Sequence, residues 1–272
     1  MLRKQLIGLT FFVSILLLFG CATNPMTGRR TMAFISNAQL FPMSFAQFEE
    51  FIETSTVVTG TPEAQMVQRV GERLVEATER WLDSKGRLSD LDGYEWEFIL
   101  VQDNAINAWV MPGGKIVFYT GILPFTYNEA GLAVVMGHEI AHAVLNHGQQ
   151  RMSAALLQQF GFISLSVLTA RQPQITQGII LTSFGIGSDL FGTLPFSRRH
   201  ELEADHLGAI LMAIAGYNPN EGPIFWERMS NIPGGRVPEF LSTHPSDEAR
   251  MRQLRNVIPE AIETAARFGV HF

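Results

Sequence analysis

The sequence predicts an α+β fold, mostly helical with a small sheet, on three observations. A capped start opens a long run of apolar residues at helical spacing, short β-rich runs are confined to the segment before residue 120, and helix signals dominate after Asn128. The first long helix begins at Thr61-Pro62-Glu63. Thr61 serves as N-cap, Pro62 brings its fixed φ to the first helical position, and Glu63 faces the positive helix end. Val67, Val70, Leu74, Ala77 and Trp81 then share a face as far as Leu82. Before it, residues 22–60 show little periodicity apart from a helix over Ser44–Thr54.

Glu95–Val101 alternates at its start and reads as a strand. Ala108-Trp109-Val110 and Ile116-Val117-Phe118-Tyr119 flank Pro112-Gly113-Gly114 and read as two further strands joined through a turn. Asn128 caps a helix over 130–146. Two apolar stretches follow, Ala154–Ala170 and Ile175–Phe196. Gln158 and Gln159 interrupt the first, and Gly185, Gly187, Asp189 and Gly192 the second, so both are expected as buried or lid-forming helices rather than membrane spans. Helices from Arg198 to Ala215 and from Asn218-Pro219 to Ser230 come next. Ser246-Asp247-Glu248 caps a last pair ending near Arg267.

Composition narrows the function. The chain has 272 residues, 46% hydrophobic and 17% charged, which is a globular balance. With 20 Lys+Arg against 26 Asp+Glu and a net charge of −6, no nucleic-acid partner is expected, because phosphate binding needs clustered cations. One cysteine excludes an intrachain disulfide framework and a Cys-based structural zinc site.

That cysteine closes a targeting segment. Arg3 and Lys4 precede the apolar run Leu6–Phe19, which is short for a membrane span of about 20 residues. Leu18-Phe19-Gly20-Cys21 resembles the lipobox of bacterial lipoproteins. The resemblance implies a signal peptide over 1–20, a lipid-anchored leader over 21–60 and a catalytic domain over 61–272, with Cys21 lipidated and held in a membrane. Ala22, by resemblance to sorted lipoproteins, implies the outer membrane of a Gram-negative bacterium, facing the periplasm.

His138-Glu139-Ile140-Ala141-His142 carries the chemistry. On a helix, His138 and His142 lie one turn apart and face the same point, where they can bind one Zn2+, with Glu139 beside them to take a proton from water. A catalytic zinc needs a third protein ligand. His147 fails on spacing: on a continuous helix it lies about 140° around from His142, which reads as structural or solvent-facing. Glu201 and Asp205, four apart, share a helix face, which suits Glu201 to the metal and Asp205 to orienting a ligand histidine; His200 and His206 remain alternative third ligands. On the same geometry Glu203 points roughly 160° away from Glu201.

Four segments in order resemble the zinc metallopeptidase family of the CAAX prenyl endopeptidase and HtpX, family forty-eight, and within it a bacterial lipoprotein branch. They are Asn107–Gly114, Gly137–His142, Ser197–Asp205 and Thr243–Arg250, and the leader Cys21–Gly28 matches that branch too. The resemblance implies a zincin-like fold of the gluzincin group, with His138, His142 and Glu201 as ligands of one zinc, Glu139 as general base and Asp205 as a supporting carboxylate. It implies a metalloendopeptidase whose substrates are unfolded or misassembled envelope proteins. His244, in the Thr-His-Pro loop, is expected to stabilise the oxyanion, or else to ligate zinc in a resting state; Arg250 would pair with Asp205 or Glu203. Asn107, Ala108, Trp109 and Val110 should form an edge strand bordering the active-site cleft, to which an extended substrate adds by backbone hydrogen bonds. Trp109 and the segment 154–196 would either select apolar substrates or pack the core. Two other classes stay open: a non-catalytic zinc-binding chaperone, disfavoured by the intact Glu139, and a hydrolase of a non-peptide bond.

Overall fold

A computed structural model of the chain describes residues 21–170, 174, 194–232, 238–244 and 248–272. It opens with a two-stranded hairpin, β1 (Cys21–Thr23) against β2 (Arg30–Met32), then α1 (Asn37–Thr54), longer by nearly two turns than the predicted 44–54. A four-stranded sheet follows in the spatial order β3 (Val57–Val58), β4 (Glu97–Val101), β6 (Lys115–Tyr119), β5 (Ala108–Met111). β4 and β6 run parallel and the other two pairings are antiparallel, so β5 is an edge strand, as predicted.

Strand alternation divides the sheet between two partners. Phe98, Leu100, Ala108, Ile116 and Phe118 turn into the main core with α2 (Pro62–Asp83) and α4 (Glu129–Val144). Ile99, Val101, Trp109, Met111 and Val117 face the other way, onto Phe48 and Phe51 of α1. Trp109 therefore packs: its ring meets Phe51 edge-on at 5.0 Å and its Nε1 donates to the Tyr119 hydroxyl at 3.3 Å.

Two of the caps read from the sequence are present, while Ser246 and Asp247 of the third lie outside the described residues. Thr61 Oγ1 accepts from the amide of Ala64, and Asn128 Oδ1 from that of Gly131. α4 is buried on all sides from Gly131 to Val144, as suits a helix at the centre of a layered fold. It ends earlier than predicted. Asn146 adopts a left-handed φ of 55°, and a new helix, α5 (His147–Thr169), starts behind it. In α5, Leu157, Phe160, Phe162, Ile163 and Val167 are exposed, so among the described residues the first apolar stretch is not the buried helix that was one of its two expectations. The second, 175–196, lies almost wholly outside the described residues. No helix among the described residues is long and apolar enough to cross a membrane.

A short α3 (Leu123–Thr126) precedes α4. After α5 come α6 (Leu194–Ile214), α7 (Glu221–Ser230), α8 (Glu239–Thr243) and α9 (Glu248–Arg267), a single helix carrying Pro259 where a pair was expected. α4 and α6 cross at glycine. A Cβ on Gly137 would lie 3.0 Å from the Gly208 carbonyl oxygen, and one on Gly208 2.9 Å from the Gly137 carbonyl carbon and the His138 nitrogen. Only two side-chain-free residues let these backbones approach so closely. That crossing faces His138 toward Glu201 and Asp205.

Candidate metal centre

His138 and His142 project from α4 and Glu201 from α6; His244, just beyond α8, closes over them. One donor atom from each of the four lies within 4.8 Å of the others, and all four residues are buried. His138 Nε2 is 3.0 Å from His142 Nε2 and 3.1 Å from His244 Nδ1. Glu201 Oε2 is 3.3 Å from His138 Nε2 and 3.0 Å from His244 Nδ1, and its Oε1 is 3.4 Å from His142 Nε2. A tetrahedron of zinc–ligand bonds of 2.0–2.2 Å has edges of about 3.3–3.6 Å, close to these separations.

The surrounding charges suit a cation. Burial alone would depress the His138 imidazole, but hydrogen bonds from Asp205 and Glu201 outweigh it and hold the group up to about 9. Burial alone would likewise raise Glu201; His142, His138 and His244 instead hold it well below the usual carboxylate range. His142 is driven well down by burial and stays a neutral base. The bare nitrogen of His142 and the buried Glu201 anion offer lone pairs to a divalent metal, and His138 joins them by releasing the proton on its Nε2 while Asp205 keeps the one on Nδ1.

Behind His138 stands Asp205, with its Oδ1 2.9 Å from Nδ1. An ionised carboxylate only accepts, so His138 Nδ1 carries the proton and Nε2 turns its lone pair to the cluster. Arg250 holds Asp205 in place through Nε and through Nη2 at 2.8 Å. It also reaches Glu201 Oε2 at 3.2 Å and lies 4.0 Å over the Trp226 ring. Of its two expected partners it takes Asp205.

Glu139 is buried, and its Oε1 accepts no hydrogen bond; His244 Nε2 is 3.5 Å away. Burial raises its carboxyl above the ordinary range, against the pull of His244 and His138. His244 Nδ1 sits among the clustered donor atoms, and its Nε2 faces Glu139, so it reaches both places its two expected roles require.

The other sequence candidates lie elsewhere. His206 bonds Glu260 on the surface at 2.9 Å. His200 stacks on His147 at 4.0 Å and meets Gln150 Oε1 at 3.2 Å. His147 stays outside the donor cluster and takes the structural one of its two expected roles: it is fully buried, closer to His142 than its spacing placed it, with Nδ1 2.9 Å from His142 Nδ1 and Nε2 3.2 Å from Glu203 Oε2. The 140° argument assumed one continuous helix, and the left-handed Asn146 breaks it. Glu203 in turn is met by Asn24 and Arg29 of the leader.

An α+β zincin-like fold with two histidines one helical turn apart, a glutamate between them and a carboxylate from a second helix defines the class: a metallopeptidase framework. Residues 63–258 match Peptidase family M48, and the chain belongs to that family. It is 36% identical over 184 residues to the mitochondrial metalloendopeptidase OMA1 of Arabidopsis thaliana, covering 66% of this chain and 36% of that protein. To human OMA1, also a mitochondrial metalloendopeptidase, it is 30% identical over 271 residues, 96% of this chain and 51% of the relative. To the Beta-barrel assembly-enhancing protease of Escherichia coli it is 30% identical over 167 residues, 59% and 34% respectively. The chain thus spans about half or less of the length of these relatives.

These similarities overturn one expectation, the outer-membrane lipoprotein facing the periplasm of a Gram-negative bacterium. It rested on Arg3, Lys4, the apolar run Leu6–Phe19, the lipobox resemblance at Leu18–Cys21 and Ala22, a short segment that lies mostly outside the described residues. The similarity to mitochondrial proteins runs over most of the chain and includes higher identities than the Escherichia coli match.

Proposed function

We propose that the chain is a zinc-dependent endopeptidase acting on extended, unfolded polypeptides, with His138, His142 and Glu201 as the metal ligands and Glu139 as general base. One observation carries the reading: three neutral or anionic donors converge around a point next to a buried Glu139 whose Oε1 has no hydrogen bond. Bound there, zinc would supply Lewis-acid polarisation of a scissile carbonyl. Glu139 takes the proton of the attacking water as its oxygen bonds to the carbonyl carbon, and returns it to the amine nitrogen as the C–N bond breaks. Its raised affinity for protons suits both transfers. Asp205, clamped by Arg250, fixes the ring of His138 and leaves its Nε2 to the metal.

His244 would add a fourth donor, and a zinc held by all four residues would lack the open position that turnover needs. Substrate binding as an added strand fits β5, whose Ala108–Met111 backbone pairs with β6 on one side, and no partner strand on its other side is found among the described residues. That mode takes chains already unfolded. The finer reading, clearance of unfolded or misassembled membrane-system proteins, draws support from the name of the Escherichia coli relative, Beta-barrel assembly-enhancing protease. A lipid on Cys21, at the first position of β1 opposite Met32, would tether the domain, and intact-mass spectrometry of the mature chain tests it. The activity is tested by incubating unfolded casein with the purified chain. Cleavage that stops with a chelator and returns with added zinc supports the reading; chelator-insensitive cleavage, or none at all after zinc loading, refutes it.

A further inference from the structure

The two ligand histidines are backed by carboxylates in different ways. Asp205 touches His138 directly, whereas among the described residues His142 meets no carboxylate at its rear. Its Nδ1 lies 2.9 Å from His147 Nδ1, and two nitrogens at that distance share one proton. The far nitrogen of His147 settles which ring owns it. Nε2 lies 3.2 Å from Glu203 Oε2, and a carboxylate that is ion-paired with the Arg29 guanidinium at 3.0 Å only accepts. His147 Nε2 therefore carries a hydrogen, its Nδ1 a lone pair, and His142 must donate from Nδ1. His142 Nε2 is left without a proton, turned toward His138, Glu201 and His244.

Glu203 is fixed from the other end of the chain. Asn24 Nδ2 donates to its Oε2 at 3.1 Å, and Arg29 Nη2 to its Oε1 at 3.0 Å. Asn24 is itself immobilised, because its Oδ1 accepts from the amides of Met26 and Thr27, both at 2.9 Å, and so closes the β1–β2 turn. His200, stacked at 4.0 Å and 13° on His147, holds that ring's plane. Both leader groups lie outside residues 63–258, the part that matches the family.

We propose that His147 and Glu203 are positioning residues for His142, and that the leader hairpin, through Asn24 and Arg29, completes the metal centre by fixing Glu203. Without that hairpin Glu203 is free to turn from His147. His147 can then place its proton on Nδ1, which would push the His142 proton to Nε2 and block the ligand. The inference rests on the reading of the cluster as a metal centre.

The test uses the purified full chain stripped of metal, with two readouts: competition for Zn2+ against a chromophoric chelator, and imidazole 15N spectra without metal. The parent should bind zinc and show His142 as the Nδ1–H tautomer. His147→Phe should weaken zinc roughly 10–100-fold and shift that tautomer. His147→Asn, whose oxygen can still accept from His142, should remain close to the parent. Arg29→Met should weaken zinc severalfold while leaving the metal-free melting temperature in place, and it decides the matter if His147→Phe fails to fold. Parental zinc affinity in both His147→Phe and Arg29→Met would overturn the inference alone, as would an Nε2–H tautomer in the parent. A parent that takes up no zinc would instead sink the metal reading, and the inference with it.

Discussion

Gly208→Ala probes the geometry that brings the two halves of the site together. The new Cβ would stand 2.9 Å from the carbonyl carbon of Gly137 and the backbone nitrogen of His138, where ordinary contacts are 3.4–4 Å. Both obstacles are backbone, so no side chain can swing aside, and α4 and α6 must separate by roughly 0.5–1 Å. Overpacking of this kind costs about 1–3 kcal/mol, and the better helix propensity of alanine returns up to about 1 kcal/mol. The net loss, near 1 kcal/mol, lowers the melting temperature of a domain this size by only about 2–4 °C. The site should suffer far more. His138 moves with α4 while Glu201 and Asp205 move with α6, and a misplacement near 1 Å costs roughly 10²-fold in rate. Differential scanning calorimetry together with casein turnover therefore gives a mismatch, a folded protein with a crippled centre. Parental turnover in Gly208→Ala would refute the claim that the glycine crossing sets the site.

Asp205→Asn should weaken zinc binding roughly 10–100-fold by chelator competition, and Arg250→Met, which leaves Asp205 buried without its ion pair, should lose about 3–5 kcal/mol in urea unfolding. His244→Ala should raise casein cleavage if its Nδ1 closes the metal, as its 3.0 Å approach to Glu201 suggests; a fall of roughly 10²–10³ with zinc retained would assign it the oxyanion instead. Burial pushes the His200 imidazole down to about 2, whereas in the unfolded chain it takes a proton near its ordinary 6.5. The unfolded state thus binds the extra proton below pH 6.5. Stability is whole above that and is lost toward pH 2, by up to about 1.4 kcal/mol per pH unit from this group, and His200→Gln should flatten that slope in metal-free unfolding between pH 7 and 5.

What the sequence made legible was whatever a single helix or strand period encodes. His138 and His142 one turn apart, Glu201 and Asp205 one turn apart, and the caps at Thr61 and Asn128 all lie where local spacing puts them. The edge position of β5 was expected from the family resemblance, not from any local spacing. Spacing kept His147 off the metal but could not choose its buried, structural role over a solvent-facing one, because one left-handed residue, Asn146, resets the helical phase. Spacing turned Glu203 away from Glu201 but could not name its partners, because Asn24 and Arg29 are 179 and 174 residues away in a segment without periodicity. Trp109 turns to the α1 face by simple strand alternation, but without knowing that α1 covers that face its role could not be chosen. The exposed side of α5 was hidden because an apolar run reads the same whether or not something covers it.

The central claim is that Glu139 acts on water beside a metal it does not bind. Zinc per chain, by inductively coupled plasma mass spectrometry, and casein cleavage should be measured on the same preparations of the parent and Glu139→Gln. The account predicts about one zinc in both, with cleavage in the parent and a loss of at least roughly 10²-fold in the variant. Zinc lost along with activity would make Glu139 part of the binding site, and full cleavage by Glu139→Gln would contradict the account outright.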